Sequence, residues 1–165
     1  IENSTTPLVL DADALNCVAK QPEILLRKKA PIIITPHPGE MSRLTGLATP
    51  LVNAERERVA LDFAQKYGVV TVLKGAGTVI ASPNGKVLVN PTGNSGMATG
   101  GSGDVLAGMT ASILAQGANA FSSAAAAVYL HGLAGDIAAE KYGKISMLPT
   151  DLINCIPLAY KRCGF

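Results

Sequence analysis

Val87–Gly108, VLVNPTGNSGMATGGSGDVLAG, joins a strand-like run to an apolar-periodic helix through a glycine-rich loop that ends in Gly100-Gly101-Ser102-Gly103-Asp104. Adjacent glycines let backbone N–H groups converge and come close to an anion. The start of the helix behind them adds a partial positive charge. One carboxylate, Asp104, stands where that field is aimed. The pattern reads as a cradle for a phosphoryl group in transit. Gly100, Gly101, Ser102 and Gly103 form the anion hole, and Asp104 takes a proton from the acceptor. The plainer reading is a tight turn with an acid at a helix N-terminus, which alone is stabilising by up to ~1 kcal/mol. The absence of any large side chain over Ala98–Gly103 favours the cradle. The chain contains neither GxxxxGK[ST] nor GxGxxG, so this is not a P-loop or a dinucleotide fingerprint.

Upstream, three short apolar runs read as buried parallel strands: Pro7–Asp11, Pro31–Thr35 and Val69–Leu73. Ala14–Lys29 is helical in composition, with an interruption at Pro22. Asn53–Tyr67 reads as a surface helix capped by Asn53 and ended by Gly68. Thr78–Ala81 and Lys86–Val89 flank Pro83-Asn84-Gly85, a hairpin signal. Helices are expected from Gly103 to Gln116, from Phe121 to Tyr142, and from Thr150 to Lys161 with Thr150 or Asp151 near the cap. Strands alternating with helices predict an α/β fold, with a mainly parallel sheet covered on both faces. Ligands in such folds sit at the carboxyl ends of the strands. That rule places DADALN (Asp11–Asn16), TPHPGE (Thr35–Glu40), KGAGT (Lys74–Thr78) and the glycine-rich loop on one edge.

Each of these segments carries a chemical and a structural reading. The small residues of Lys74, Gly75, Ala76, Gly77 and Thr78 leave room for a nucleotide against the backbone; otherwise they form a hairpin connection with an exposed lysine. His37, held extended between Pro36 and Pro38, is presented rigidly as a ligand contact. Glu40 reads as the first-turn acid of a following helix. Asp11 and Asp13, with Asn16, could order a water or magnesium shell, since that ion binds through few carboxylates and many waters; equally, they cap a helix. His131 and Asp136, in VYLHGLAGD, read as helix-packing residues. No His/Cys/Asp cluster has zinc spacing, and GxSxG is missing.

DADALN, TPHPGE, KGAGT, NPTGNSGMATGGSGDVLAG and HGLAGD, in this order, resemble the ADP/ATP-dependent NAD(P)H-hydrate dehydratases of the ribokinase-like superfamily, relatives of carbohydrate kinases. The resemblance covers nearly the whole chain, although Ser102 stands where threonine is usual. It implies a three-layer α/β/α fold. It implies repair of the S form of hydrated NADH or NADPH (NADHX, NADPHX), with ADP or ATP as co-substrate and Mg2+ as the expected ion. On that basis Asp104 is the base and touches the hydrate. Gly103 and Lys74–Thr78 bind the adenine nucleotide, while His37 and Asn94 contact the substrate. The family also has a glycine-rich N-terminal half bearing the first strands. This sequence is therefore expected to be one domain, 1–165, forming the C-terminal portion of a longer one and inactive alone, with the rest clipped or supplied as a separate chain. Two other readings stand beside the repair enzyme. One is a thiazole- or pyrimidine-type alcohol kinase sharing Asp104, and the other is a nucleotide-binding module without turnover.

Composition bounds the rest. With 48% hydrophobic and 16% charged residues, the 165-residue chain is globular in type. A net charge of +2, no tryptophan and 4% aromatics argue against nucleic-acid and membrane partners. Three cysteines without CxxC spacing predict reduced thiols in a cytoplasmic protein. A homo-oligomer is expected. IENSTTPLVLDAD lacks the basic start of a signal peptide.

Overall fold

Three-residue stretches of branched aliphatics set the centre of the molecule, which a computed structural model describes over residues 1–165. The strands are β1 (Leu8–Leu10), β2 (Ile32–Ile34), β3 (Val70–Leu73), β4 (Val79–Ala81) and β5 (Val87–Val89). They form one sheet in the order β1-β2-β3-β4-β5. β1, β2 and β3 run parallel. β4 and β5 add antiparallel, so the sheet is mixed. The Asn84-Gly85 turn makes the hairpin, with the Ser82 N–H donating to Lys86 O at 2.8 Å. Two reversals restore direction, so β5 delivers its carboxyl end to the same edge as β1, β2 and β3.

Side chains alternate across β2 and divide the core in two. Ile33 joins Val70, Val72 and Ile80 against helices α5 (Ser102–Ala115), α6 (Ala120–Tyr142) and α7 (Pro149–Arg162). Ile32 and Ile34 face the other way, with Leu73, Val79 and Ala81. That face is covered by α1 (Asp13–Ala19), a 3-10 turn (Pro22–Arg27), α2 (Pro38–Thr45), α3 (Thr49–Ala54) and α4 (Arg56–Tyr67). Each fully buried Ile or Leu is stabilising by roughly 1.5–3 kcal/mol. The result is the three-layer α/β/α arrangement. α6 lies between α5 and α7, and its buried Ala124, Ala127, Ala134 and Ala138 allow that close approach. β1 pairs only with β2, and Leu8, Val9 and Leu10 are each half-buried. No helix is long and apolar enough to cross a membrane.

Several boundaries differ from the sequence expectation, for local reasons. Ala14–Lys29 is interrupted at Pro22 as expected, but the part after it is a 3-10 turn that ends at Arg27. Asn53 does not cap α4; it lies in the last turn of α3, which Pro50 initiates, and α4 begins at Arg56 after Glu55. At α7 the expected acid works one turn in, where Asp151 Oδ2 accepts from the Leu148 N–H at 2.9 Å.

Candidate functional site

The carboxyl edge of the sheet brings DADALN, TPHPGE, KGAGT and the glycine-rich loop together, with Lys74 at their centre. Its Nζ donates to Asp11 Oδ1 at 2.6 Å and lies 3.8 Å from Glu40 Oε2. Its backbone N–H donates to Pro36 O at 2.8 Å. A Cβ added at Gly103 would sit 3.4 Å from Lys74 Nζ and 3.8 Å from Asp11 Oδ2. So a lysine ammonium, an aspartate and the start of α5 share one small volume. Asp11 is aimed there by a strained neighbour, since Ala12 holds φ 49°, the one non-glycine residue with positive φ.

The start of α5 leaves backbone donors free. Gly101 caps it at φ 97°, a conformation that a side chain resists, and a Cβ there would press on Pro149 Cγ at 3.1 Å. At Gly100 a Cβ would meet only open space. The fold therefore does not demand glycine at that position, whereas a ligand lying on the backbone would. The N–H groups of Gly103 and Asp104 have no backbone acceptor, while Ser102 N–H and Val105 N–H are used within the loop and helix. Ser102 Oγ is buried without a partner. Asp104 is exposed in the first turn. The first turn of α5 thus offers unpaired N–H donors next to the Asp104 carboxylate.

α6 fastens the loop at both ends. Asp136 Oδ2 accepts from the Gly93 N–H at 2.9 Å, and Asp136 Oδ1 accepts from Asn94 Nδ2 at 2.9 Å. Asn94 Nδ2 also donates to Gly135 O, and Asn94 Oδ1 accepts from the Gly96 N–H, each at 3.0 Å. The Asn94 amide therefore ties the loop to α6 through Nδ2 and braces the loop through Oδ1, a fastening role beside its expected substrate contact. Thr92 Oγ1 donates to Tyr129 O at 2.9 Å. The glycines of HGLAGD admit the loop: a Cβ at Gly132 would lie 2.1 Å from Thr92 Oγ1, and one at Gly135 would lie 2.3 Å from Met97 Sδ. Buried His131 pairs its Nε2 with Ser102 O at 3.0 Å. A carbonyl oxygen only accepts, so Nε2 carries the proton.

Burial holds the His131 pKa down, from 6.5 to about 4, against a smaller upward pull from the Ser102 carbonyl. The unfolded chain therefore takes up this proton first as pH falls. The stability due to neutral His131 is fully present above about pH 6.5 and is lost as pH drops towards about 4, by about 3 kcal/mol in all. The drop in unfolding free energy between about pH 7 and about pH 4 should shrink by that amount in His131→Gln. Denaturant titrations at both pH values check this; equal pH dependence in the two proteins would contradict it.

His37 is placed differently from the expectation. Its Nδ1 accepts from the N–H groups of Gly39 and Glu40, at 3.0 and 3.3 Å, and Glu40 Oε2 accepts from the His37 N–H at 2.7 Å. This reciprocal cap starts α2. One ring edge is thus spent on the fold, and the half-exposed remainder is what a substrate could meet. Glu40 is the first-turn acid that was expected, but it is also buried beside Lys74, a contact the sequence did not disclose.

KGAGT is braced from α4. Half-buried Arg56 donates to Leu73 O at 2.8 Å, to Lys74 O at 3.4 Å and to Gly77 O at 3.5 Å, and burial lowers its pKa from the usual guanidinium value. In the sequence Arg56 was one charge in an ERER run, with no signal marking it. The braced loop forms a wall of an open cleft of about 450 Å³, whose lining includes Arg56, Ala76, Gly77, Val79 and Val89. Thr78 Oγ1 donates to Gly75 O at 3.0 Å and closes the turn.

The residues fit magnesium in a limited way. Asp11 is the carboxylate at the cradle, with one oxygen on Lys74. Asp13 accepts from Asn16, which in turn accepts from Arg43, so this pair ties α1 to α2 at the surface. That donor set suits an ion held mainly by phosphate oxygens and water.

Comparisons with known proteins agree with this geometry. The family model described as NAD(P)H-hydrate dehydratase matches residues 1–158. The chain is 47% identical over 156 residues to the bifunctional NAD(P)H-hydrate repair enzyme Nnr of Moorella thermoacetica, covering 94% of this chain and 29% of that protein. Among solved structures, it is similar to the ADP/ATP-dependent NAD(P)H-hydrate dehydratase of Bacillus subtilis co-crystallised with ATP and Mg2+. The TM-score is 0.89 at 36% identity, over 98% of this chain and 57% of that one. It is also similar to a ribokinase-like superfamily protein of Enterococcus faecalis, with a TM-score of 0.78 at 33% identity, over 94% of this chain and 52% of that one. The chain thus spans from under a third to just over half the length of these relatives. On its fold, its loop and these matches, it belongs to the NAD(P)H-hydrate dehydratase family, with a ribokinase-like fold.

Proposed function

We propose that this chain carries the phosphoryl-transfer centre of an enzyme that repairs the S form of NADHX and NADPHX, consuming ADP or ATP. The observation that carries the reading is the meeting, on one sheet edge, of the unpaired Gly103 and Asp104 N–H groups, the exposed Asp104 carboxylate and the Lys74 ammonium. Preorganised N–H donors stabilise charge that builds on transferring oxygens. Asp104 accepts the proton of the ring hydroxyl. A carboxylate is a weak base for an alcohol, but a loose transition state lets the proton leave late. Lys74 lies close enough to Gly103 to neutralise phosphate charge on the far side.

The chemistry explains why a repair reaction consumes a nucleotide. Hydroxide is a poor leaving group. Transfer of the terminal phosphoryl from ADP (or ATP) to the ring hydroxyl gives a phosphate ester and AMP (or ADP). The ring nitrogen then supplies the electron pair, the carbon–oxygen bond breaks, orthophosphate departs, and loss of a neighbouring ring proton restores the dihydronicotinamide. Mg2+, where the nucleotide brings it, would screen phosphate charge, and Asp11 would offer it the carboxylate oxygen that Lys74 does not take. The open cleft, with Ala76, Val79 and Val89 on one side and the charged Glu55–Arg58 run on the other, is of a size for a flat base. His37 presents its exposed ring edge, whose Nε2 lies 3.5 Å from Glu40 Oε1, to the hydrated nicotinamide. Ser102 keeps a hydroxyl at its position.

We further propose that turnover requires the N-terminal half that the family has in addition to this chain. The test is dehydration of purified NADHX by the 165-residue chain and by the chain so extended, with ADP and ATP compared side by side. Return of the dihydronicotinamide absorbance only with nucleotide, and only in the extended protein, is expected. Full activity from the 165 residues alone would refute the second proposal, and nucleotide-independent turnover the first.

A further inference from the structure

Ser102 O and Gly103 N belong to one peptide unit. A peptide is planar and trans, so its carbonyl and its N–H point in opposite directions. His131 Nε2 donates to that carbonyl at 3.0 Å from one side, and the Gly103 N–H is left without a backbone acceptor on the other. We propose that His131 is a positioning residue for phosphoryl binding, which acts through the Ser102–Gly103 peptide to aim and polarise the Gly103 N–H.

Two effects combine. The first is geometric. Ser102 opens α5 directly behind a glycine cap at φ 97°, so the Ser102–Gly103 peptide lies in the first turn, where the helix ladder holds it from one side only. The imidazole, buried in α6 among packed alanines, fixes the peptide plane from the opposite side. The second is electronic. A hydrogen bond to a carbonyl draws charge through the amide and makes its N–H a stronger donor, a cooperative gain of some tens of per cent at most. Asp136 and Asn94 hold the far end of the loop, so His131 is the anchor that bears on the peptide next to Asp104. Met or Leu would fill the same volume. The donor at Nε2 is what the site needs from a histidine here.

The inference rests on the phosphoryl-site reading above, and the test separates the two. Wild type, His131→Gln (which can keep a donor) and His131→Phe (which removes it) are titrated calorimetrically with ADP and with adenosine, and melted as a check on folding. The Gly103 amide is followed by NMR in the unliganded proteins. In His131→Phe the Gly103 amide proton should move upfield. ADP affinity should fall about tenfold, the worth of one good hydrogen bond, while adenosine affinity holds. His131→Gln should recover most of the loss. If wild type binds ADP no better than adenosine, the phosphoryl-site reading fails and the proposal with it. If wild type prefers ADP but the ratio of the two affinities is unchanged in His131→Phe, or its Gly103 resonance does not move, the proposal alone is overturned. Should His131→Phe not fold, the same two readings on His131→Leu, which fills the volume and removes the donor, decide it.

Discussion

Asp104→Asn should bind ADP within about threefold of wild type and lose at least about a thousandfold in turnover, as removal of a general base does. Asparagine keeps the size and most of the polarity of aspartate, so the turn and the Gly103 and Asp104 N–H groups stay in place. What goes is the charge that accepts the hydroxyl proton. The cost in stability is small, because the lost interaction with the start of α5 is worth about 0.3–1 kcal/mol. Removing a negative charge beside the phosphate site could only help an anion bind. Calorimetric titration with ADP and orthophosphate release by the extended protein check both halves. Rates close to wild type would remove Asp104 from the mechanism. A matching collapse of ADP binding would make it a structural residue of the loop.

Lys74→Met should be the most destabilising change at the site, by about 2–3 kcal/mol, and should cost most of the ADP affinity. Lys74 side-chain exposure is 19%, against 11% for Asp11 and 6% for Glu40, so one buried ammonium serves two nearly buried carboxylates. Removing one partner of a fully buried pair costs about 3–5 kcal/mol, because the remaining charge is left uncompensated. The partial exposure here lowers that figure. The same logic predicts that Asp11→Asn combined with Lys74→Met is more stable than Lys74→Met alone. Denaturant unfolding of the two variants and wild type measures this. A Lys74→Met protein as stable as wild type would show that the ion pair contributes nothing.

The sequence disclosed the frame of the site because the frame is local. Apolar runs ending in polar residues mark strand ends, Asn84-Gly85 marks the reversal, and the parallel rule then puts four loops on one edge. Lys74 beside Asp11 and Gly103 follows from that placement. Details that depend on partners distant in sequence were hidden. Nothing near Arg56 says that it will brace three carbonyls of KGAGT. Nothing near Glu40 says that a lysine will lie above it. His37 was read as a ligand contact because Pro36 and Pro38 hold it extended; in the structure its Nδ1 also does the capping work usually given to Ser or Asp. Asn94 was read as facing substrate, yet Asp136 takes up its amide. The short helix α3 escaped because so few turns cannot show a period, and α2 was marked only by its first-turn acid, Glu40.

The central claim is that this loop makes a leaving group and does not retain a product. Phosphorus NMR during turnover of NADHX and ADP by the extended protein follows the transferred phosphoryl group directly. The account predicts that orthophosphate and AMP appear together, in equal amounts and in step with the recovered dihydronicotinamide absorbance. A phosphate ester that accumulates and persists would contradict it, and would make the protein an alcohol kinase on the same fold.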